Sequence, residues 1–120
     1  MSEQSTGTGD LSAEDAKLVT LARATRARAR ASEGAAVRDL DGRTYAAASV
    51  RLEHLSLSAL EVCVAMALSS GSAGLEAAVV LTDGDGPDLA AMADFAGLGV
   101  PVLVGDPRGT IHTRRTTAVG

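Results

Sequence analysis

The stretch "LEAAVVLTD", residues 75–83, decides the predicted fold. Apolar residues run through it almost without a break, whereas a strand with one face in water alternates apolar and polar side chains. It therefore predicts a central strand that is covered on both faces. "VPVLVGD", residues 100–106, predicts a second strand of this kind. A sheet built on such strands needs a layer of helices on each side.

The first half of the chain predicts one helix and one hairpin. The helix runs from about residue 13 to 31, with Ser12 as its N-cap, and a buried stripe follows at three- and four-residue spacing through Leu18, Leu21, Ala22 and Thr25. The hairpin turns at Asp41-Gly42, a pair that is typical of a two-residue type I′ turn.

The second half supplies two more helices and an edge strand. A helix begins after Ser58 and stops at Gly71, and another is capped by Asp88 and closes at Gly97 or Gly99. "TIHTRRT", residues 110–116, predicts an edge strand. The order is helix–strand–strand–helix–strand–helix–strand–strand, which predicts a three-layer α/β/α sandwich around a five-stranded mixed sheet.

The chain has the size of one domain, at 120 residues. We expect that domain over residues 12–116, with a polar, disordered N-terminal tail at 1–11 and a loose C-terminus at 117–120. Hydrophobic residues make up 46% of the chain, but it has one Phe, one Tyr and no Trp. A core of such small side chains buries little surface per residue, so we expect a homo-oligomer that completes the core.

Charge and cysteine content exclude several classes of function. The net charge of −4 argues against a general nucleic-acid binder. One cysteine excludes an intrachain disulfide framework and any zinc site that needs two cysteines from one chain. No apolar run is long enough for a membrane span, and the N-terminus lacks the features of a signal peptide, so the cytoplasm is the expected location.

Four segments resemble the cytidine deaminase fold, over roughly residues 13–115. "EGAAVRDLDGRTYAAASV", residues 33–50, resembles the opening hairpin of free-nucleoside cytidine deaminases, which carry a V-G-A-A-L run, a D-G-R/K turn and an N-V-E-N segment. "SALEVCVAMALSSG", residues 58–71, lies where they carry C-A-E and an apolar helix. "VVLTDGDGP" and "VPVLVGDPRG", residues 79–87 and 100–109, match their third strand and a later strand with its turn.

The resemblance implies a zinc site whose residues are replaced in this chain. It aligns Glu61 with the catalytic glutamate, and it puts Ala59, Asp88 and Ala91 where the family has its three zinc ligands. A catalytic zinc takes three protein ligands, and an alanine methyl cannot coordinate it. We therefore expect no metal and no other cofactor. The ribose-binding N-V-E-N segment falls at "SVRL", residues 49–52.

Glu61 and Cys63 also have structural interpretations. Ser58-x-x-Glu61 is a capping box, in which each side chain bonds the other residue's amide, and we favour this role over catalysis. Cys63 follows the start of the helix, where a thiol pKa can fall, but its neighbours are apolar. A small buried hydrophobe is the favoured role. His54 and His112 are interpreted as surface residues.

The arginines near the end of the first helix form the one basic cluster. Arg23, Arg26 and Arg30 are predicted to share a helix face, which could contact phosphates or an acidic partner. The alternative is a solvated helix end, where positive charge complements the helix dipole.

A closer resemblance is to short cytidine deaminase-like proteins of high-G+C bacteria that lack the zinc motifs. Their genes tend to lie beside that of a ribosome-assembly GTPase, which implies a role near translation. The favoured hypothesis is a pseudoenzyme: a non-catalytic binding or assembly module, a dimer or tetramer as in the family, whose arginine-rich helix end meets a protein or RNA. One alternative is a cytidine deaminase with an atypical zinc site, for which zinc would be needed. Another is a protein that binds nucleosides without reacting.

Overall fold

A computed structural model of the chain describes residues 11–84 and 86–118 and places a five-stranded mixed sheet between helices. The elements in chain order are α1 Ala13–Ala29, β1 Gly34–Asp39, β2 Thr44–Ala48, β3 Val50–Leu52, β4 Leu55–Leu57, α2 Ala59–Ser69, β5 Leu75–Leu81, α3 Ala90–Ala96, β6 Pro101–Gly105 and β7 Ile111–Thr116. The main sheet has the order β2-β1-β5-β6-β7, and α1 packs on the face opposite α2 and α3. The predicted three-layer sandwich is confirmed, including the edge position of β7.

The central strands β5 and β6 are buried on both faces, as their unbroken apolar runs predict. Successive side chains of a strand point to opposite faces. Val80 and Val104 therefore pack in the core cluster with α2 and α3, whereas Val79 and Leu103 pack in the cluster with α1. Glu76 is the exception in β5 and is exposed.

One edge of the sheet gathers the ends of its central strands. β5 and β6 run parallel, with Leu81 beside Gly105, and β1 runs antiparallel to β5, with Gly34 beside Leu81. Three neighbouring residues just outside these positions are Glu33, Thr82 and Asp106. We call this side of the sheet the carboxyl edge, because β5 and β6 both end there.

Small residues let α1 lie close to β1. A Cβ atom at Gly34 would clash with the carbonyl oxygen of Ala22 and lie only 2.7 Å from the Cβ of Arg26, so only glycine fits there. Leu18 and Ala22 are fully buried in this contact. The predicted stripe is wrong at Leu21, which is 38% exposed because it lies at the rim of the helix face.

The β1–β2 turn differs from the predicted type I′ turn. That type needs positive φ at both central residues, but here only Gly42 has one, at +85°. The Asp39 carboxylate accepts hydrogen bonds from the amides of Asp41 and Arg43, both at 2.9 Å, and the Gly42 amide donates to the Asp39 carbonyl. These bonds select a type I turn followed by a glycine bulge. Asp106 makes the same set of bonds in the β6–β7 turn.

Several predicted boundaries move by a few residues. Helix α1 ends at Ala29 because Arg30 adopts the left-handed conformation. Asp88 does not cap α3, whose N-cap is Leu89; its carboxylate accepts from the Ala90 amide instead. The sequence predicts a loose C-terminus from Thr117, but Thr117 is buried and its hydroxyl donates to the Gly97 carbonyl at 2.7 Å.

The N-terminal boundary also moves. Leu11, which was expected in the disordered tail, packs against the α1 side of the core. The rest of the predicted tail, residues 1–10, and the last two residues lie outside the described part of the chain.

The segment between β2 and α2 forms a hairpin that the sequence pattern did not predict. Among the described residues, strands β3 and β4 pair only with each other, and two leucines of this hairpin are open to solvent, Leu52 at 65% and Leu55 at 48% exposure. Strands of three residues are too short to show a two-residue period. Over residues 11–84 and 86–118, no helix is both long and apolar enough to cross a membrane.

Candidate functional site

The N-terminus of α2 is closed by its own capping box. The Ser58 hydroxyl accepts a hydrogen bond from the Glu61 amide at 3.1 Å, and the Glu61 carboxylate accepts one from the Ser58 amide at 2.8 Å. The predicted capping box is therefore confirmed. The Glu61 side chain is half-buried and folded back on the helix start.

A second carboxylate, that of Glu33, lies at the same helix end. Its Oε1 accepts from the Ala59 amide and its Oε2 accepts from the Thr82 hydroxyl, both at 3.2 Å. The Thr82 Oγ1 in turn accepts from the Gly84 amide at 3.0 Å. Glu33 and Thr82 are neighbours because they flank paired strands at the carboxyl edge, and the positive end of α2 favours a carboxylate. One side chain thus joins β1, β5 and α2.

Sequence reasoning did not identify Glu33. It lies where the resembling deaminases begin their V-G-A-A-L run with valine, and that replacement of an apolar residue by an acid is the signal that could have found it. Ser49, at the start of the segment aligned with N-V-E-N, holds the Glu33 backbone: its Oγ accepts from the Glu33 amide at 3.2 Å, and its amide donates to the Glu33 carbonyl at 3.1 Å.

Of the three positions aligned with zinc ligands, only one has a side-chain oxygen that could coordinate a metal. Ala59 is fully buried and Ala91 is half-buried, and both end in a methyl group. Asp88 is exposed and bonded to the nearby Ala90 amide at 2.9 Å. Within residues 11–84 and 86–118, no group of three or more His, Cys, Asp and Glu residues could hold a metal ion. Catalytic zinc takes three protein ligands, so this donor set does not fit it.

Cys63 does not supply a replacement ligand. It is fully buried in the core under α2, and its Sγ lies 3.7 Å from the Tyr45 carbonyl oxygen. Burial raises the pKa of the Cys63 thiol to about 12. The thiolate, which is the form that binds metals and attacks electrophiles, is therefore suppressed at neutral pH. The predicted role as a small buried hydrophobe is confirmed.

The two histidines lie away from these groups. His54 is in the β3–β4 turn, where its exposed side chain lies 3.9 Å from the Glu53 carboxylate. His112 is exposed on the edge strand β7, and its Nδ1 lies 2.9 Å from the Thr113 hydroxyl. Both are surface residues, as predicted.

The predicted arginine face is only partly present. Arg23 is exposed on α1, and Arg26 is half-buried, with its Nη1 donating to the Ala31 carbonyl at 3.2 Å. Arg30 does not share their face, because it lies beyond the last helical residue in the left-handed conformation. Arg26 instead lines a cleft with Arg108 of the β6–β7 turn, which sequence reasoning did not bring together with it.

A buried polar cluster lies on the opposite side of the domain from the carboxyl edge, at the other end of β1. The Asp39 carboxylate accepts a hydrogen bond from the Ser72 hydroxyl, whose oxygen lies 3.2 Å from the Tyr45 hydroxyl. The bond from Ser72 is the main cause that holds the pKa of Asp39 below its usual value, and the amides of Arg43 and Asp41 add to it against the opposing effect of burial. This cluster fixes the β1–β2 turn to the segment after α2.

Comparison with known proteins identifies the family. The model of the family described as cytidine deaminase-like (CDL) matches residues 11–109. Among solved structures, a cytidine deaminase from Mycobacterium leprae has a TM-score of 0.67 at 20% sequence identity, and the match covers 91% of this chain and 96% of that one.

A cytidine deaminase from Burkholderia pseudomallei has a TM-score of 0.66 at 20% identity, with coverage of 86% of this chain and 91% of that one. At this identity the two structures establish a shared fold. No curated protein sequence matches the chain. Because the family model spans most of the chain, the protein belongs to the cytidine deaminase-like family.

Proposed function

We propose that this member of the cytidine deaminase-like family is a non-catalytic module that self-associates and binds a partner. The proposal rests on the hydrogen bonds at the N-terminus of α2. The carboxylates of Glu61 and Glu33 accept hydrogen bonds from the consecutive amides of Ser58 and Ala59. Glu61, which aligns with the deaminase proton shuttle, is thus bonded to the first turn of its own helix. Glu33 accepts a hydrogen bond from the next amide.

The lack of metal ligands among the described residues near the start of α2 also supports a non-catalytic role. Hydrolysis of an amino group from a nucleobase needs an activated water, and a catalytic zinc supplies one by lowering the pKa of that water to about 7. Ala59 and Ala91 offer no metal ligand, and the Asp88 carboxylate accepts a hydrogen bond from the Ala90 amide. Glu61 and His54 do not form a proton-transfer pair that could replace the metal, because Glu61 is bonded to Ser58 and His54 lies in an exposed turn.

Self-association is supported by apolar surface on the β3–β4 hairpin. A two-stranded hairpin is at best marginally stable in water by itself. Here Leu52 and Leu55 are left open to solvent, and both would be covered if the hairpin packed against a second copy of the chain. We propose a dimer or tetramer, in which the core of small side chains is extended across the interface.

The proposed partner is a protein or RNA that acts near translation, the role implied by the resemblance to short family members that lack the zinc motifs. Of the three arginines proposed for this contact, Arg23 and Arg26 lie within α1. Arg30, the residue that follows the helix, is the third of these arginines.

The proposal is tested by measuring ammonia release from cytidine, with and without added zinc. We expect no release above the rate without protein, and the same result for wild type and for Glu61→Gln. Glu61→Gln is a suitable control because the amide oxygen can still accept from the Ser58 amide, so the helix cap is kept. Ammonia release by the wild type that is lost in Glu61→Gln would establish the deaminase alternative and overturn the proposal.

A further inference from the structure

A polar cleft opens on the α1 side of the carboxyl edge. It has a volume of about 410 Å³ and is lined by Arg26, Asp83, Asp106, Pro107 and Arg108. We call it the arginine cleft. Asp83 and Asp106 follow the parallel strands β5 and β6, and in open α/β sheets ligands bind outside the carboxyl ends of such strands. Its volume is within the usual range for small-molecule sites, about 300–1,000 Å³.

Arg26 lines this cleft and has one hydrogen-bond donor that no described residue satisfies. Its Nη1 donates to the Ala31 carbonyl, but its Nε is buried and has no partner in the described part of the chain. A buried donor without an acceptor is costly, and native proteins rarely leave one. The edge of a guanidinium formed by Nε and Nη2 is suited to two oxygens of one phosphate or carboxylate. No residue within 11–84 and 86–118 supplies an oxyanion to that edge of Arg26.

Arg108 adds a second positive charge from the β6–β7 turn. Its amide is held by the Asp106 carboxylate at 2.9 Å, so the turn positions the residue, while its side chain is exposed and makes no ion pair within residues 11–84 and 86–118. Arg23 approaches the same turn, because a Cβ atom at Gly109 would lie 3.5 Å from the Arg23 Cδ. Arg23 and Arg26 of α1 thus both lie beside the turn that carries Arg108.

The two carboxylates determine what kind of anion fits. The Asp106 Oδ1 already accepts from the amides of Arg108 and Thr110. Asp83 is exposed and forms no ion pair with a described residue. A free carboxylate repels a bare anion, but it accepts hydrogen bonds from hydroxyl groups. A ligand with a phosphate at one end and hydroxyl groups at the other would match both signs of charge in the cleft.

We propose that the arginine cleft binds a phosphate ester that bears hydroxyl groups, either a ribonucleotide or a sugar phosphate. The phosphate contacts the guanidinium groups of Arg26 and Arg108, and a hydroxyl group donates to Asp83. No bond is made or broken. This site does not depend on whether the α2 end is catalytic, so a failure here and a deaminase activity there are separate results.

The test is isothermal titration of the whole chain with a ribonucleoside 5′-monophosphate, ribose 5-phosphate, inorganic phosphate and an unphosphorylated nucleoside. Phosphate esters should bind and the nucleoside should not. Arg26→Gln and Arg108→Gln should each weaken ester binding at least about tenfold, because each removes a charge-assisted hydrogen bond. Asp83→Asn should weaken the esters but not inorganic phosphate. The ratio of affinities for the nucleotide and ribose 5-phosphate distinguishes the two classes of ligand.

Arg28→Gln is the matched control, since it removes the same charge from the exposed part of α1 outside the cleft. Its affinity should stay within about twofold of the wild type. Arg26 also contacts the backbone, so urea unfolding of Arg26→Gln checks its fold, whereas the exposed Arg108 side chain has no such role. The proposal is overturned if no ester binds saturably, or if Arg108→Gln binds as tightly as Arg28→Gln.

Discussion

At the scale of single residues, Glu33 distinguishes this chain from the deaminases that it resembles. Its carboxylate satisfies the Ala59 amide and the Thr82 hydroxyl, two donors on different elements. The carboxylate lies at the N-terminus of α2, where the helix dipole stabilises a negative charge. The residue therefore has a structural role at the position where the family's chemistry would be expected, and that role can be measured as stability.

Replacing Glu33 by alanine should lower the free energy of unfolding by about 1–3 kcal/mol, because two partly buried donors lose their acceptor. Glu33→Gln should cost less, since its amide oxygen still accepts one of the two bonds. Urea denaturation measures both. The control is Glu53→Ala, at an exposed side chain in the β3–β4 turn, with an expected change within about 0.5 kcal/mol. Equal effects of Glu33→Ala and Glu53→Ala would contradict the assigned role.

Asp39 should make stability depend on pH in the acid range. Because its pKa is lower in the folded chain than in the unfolded one, it stabilises the fold above its unfolded pKa of about 3.9, and this contribution is lost as pH falls through the lower folded value. The difference in stability between wild type and Asp39→Asn should therefore be largest near neutral pH and shrink below about pH 4.

Asp41→Asn is the control for this experiment, because Asp41 is exposed in the same turn. Urea unfolding at a series of pH values should show no comparable trend for it. A difference between wild type and Asp39→Asn that stays constant from neutral to acid pH would show that the carboxylate charge is not what stabilises the turn.

Residue roles were predictable from sequence only where the partner is near in the chain. The Ser58–Glu61 capping box spans one helical turn, and the burial of Cys63 follows from its apolar neighbours. The bond between Glu33 and Thr82 joins residues 49 positions apart, and that between Asp39 and Ser72 joins residues 33 apart. Such pairs depend on strand register, which a local pattern does not contain.

At the scale of elements, the β3–β4 hairpin is the largest feature that the sequence pattern did not predict. Its three-residue strands are too short for a period to show, and "RLEHLSLS" mixes apolar and charged residues as a loop does. The turn between β1 and β2 was also predicted wrongly, because the Asp39 side chain selects a type I turn although Asp-Gly favours type I′.

The hairpin should carry the interface between copies. Leu52→Ser together with Leu55→Ser should convert a dimer or tetramer into a monomer of 12.1 kDa, since the apolar surface that drives association is removed. Light scattering coupled to size-exclusion chromatography measures the mass. Leu98→Ser is the control at another exposed leucine and should leave the oligomer unchanged. A wild-type mass of one chain, or a double variant that still associates, would contradict this role.

At the scale of the whole molecule, the fold was predictable because it depends on long features. The apolar runs of β5 and β6 require cover on both faces. Helix α1 covers one face, and α2 and α3 cover the other. The arginine cleft was not predictable. It needs Arg26 of α1 and Arg108 of a turn 82 positions later in the chain to meet beside the carboxyl edge, and this depends on how α1 crosses β1 over Gly34.

The zinc content of the purified protein decides whether this member of the family has lost its metal site. The chain should be produced in zinc-supplemented medium without a histidine tag, beside a zinc-dependent cytidine deaminase prepared in the same way. Elemental analysis should give less than about 0.1 zinc per chain, because Ala59 and Ala91 provide no ligand and catalytic zinc needs three. About one zinc per chain, held after dialysis as in the control enzyme, would show that the chain retains a metal site.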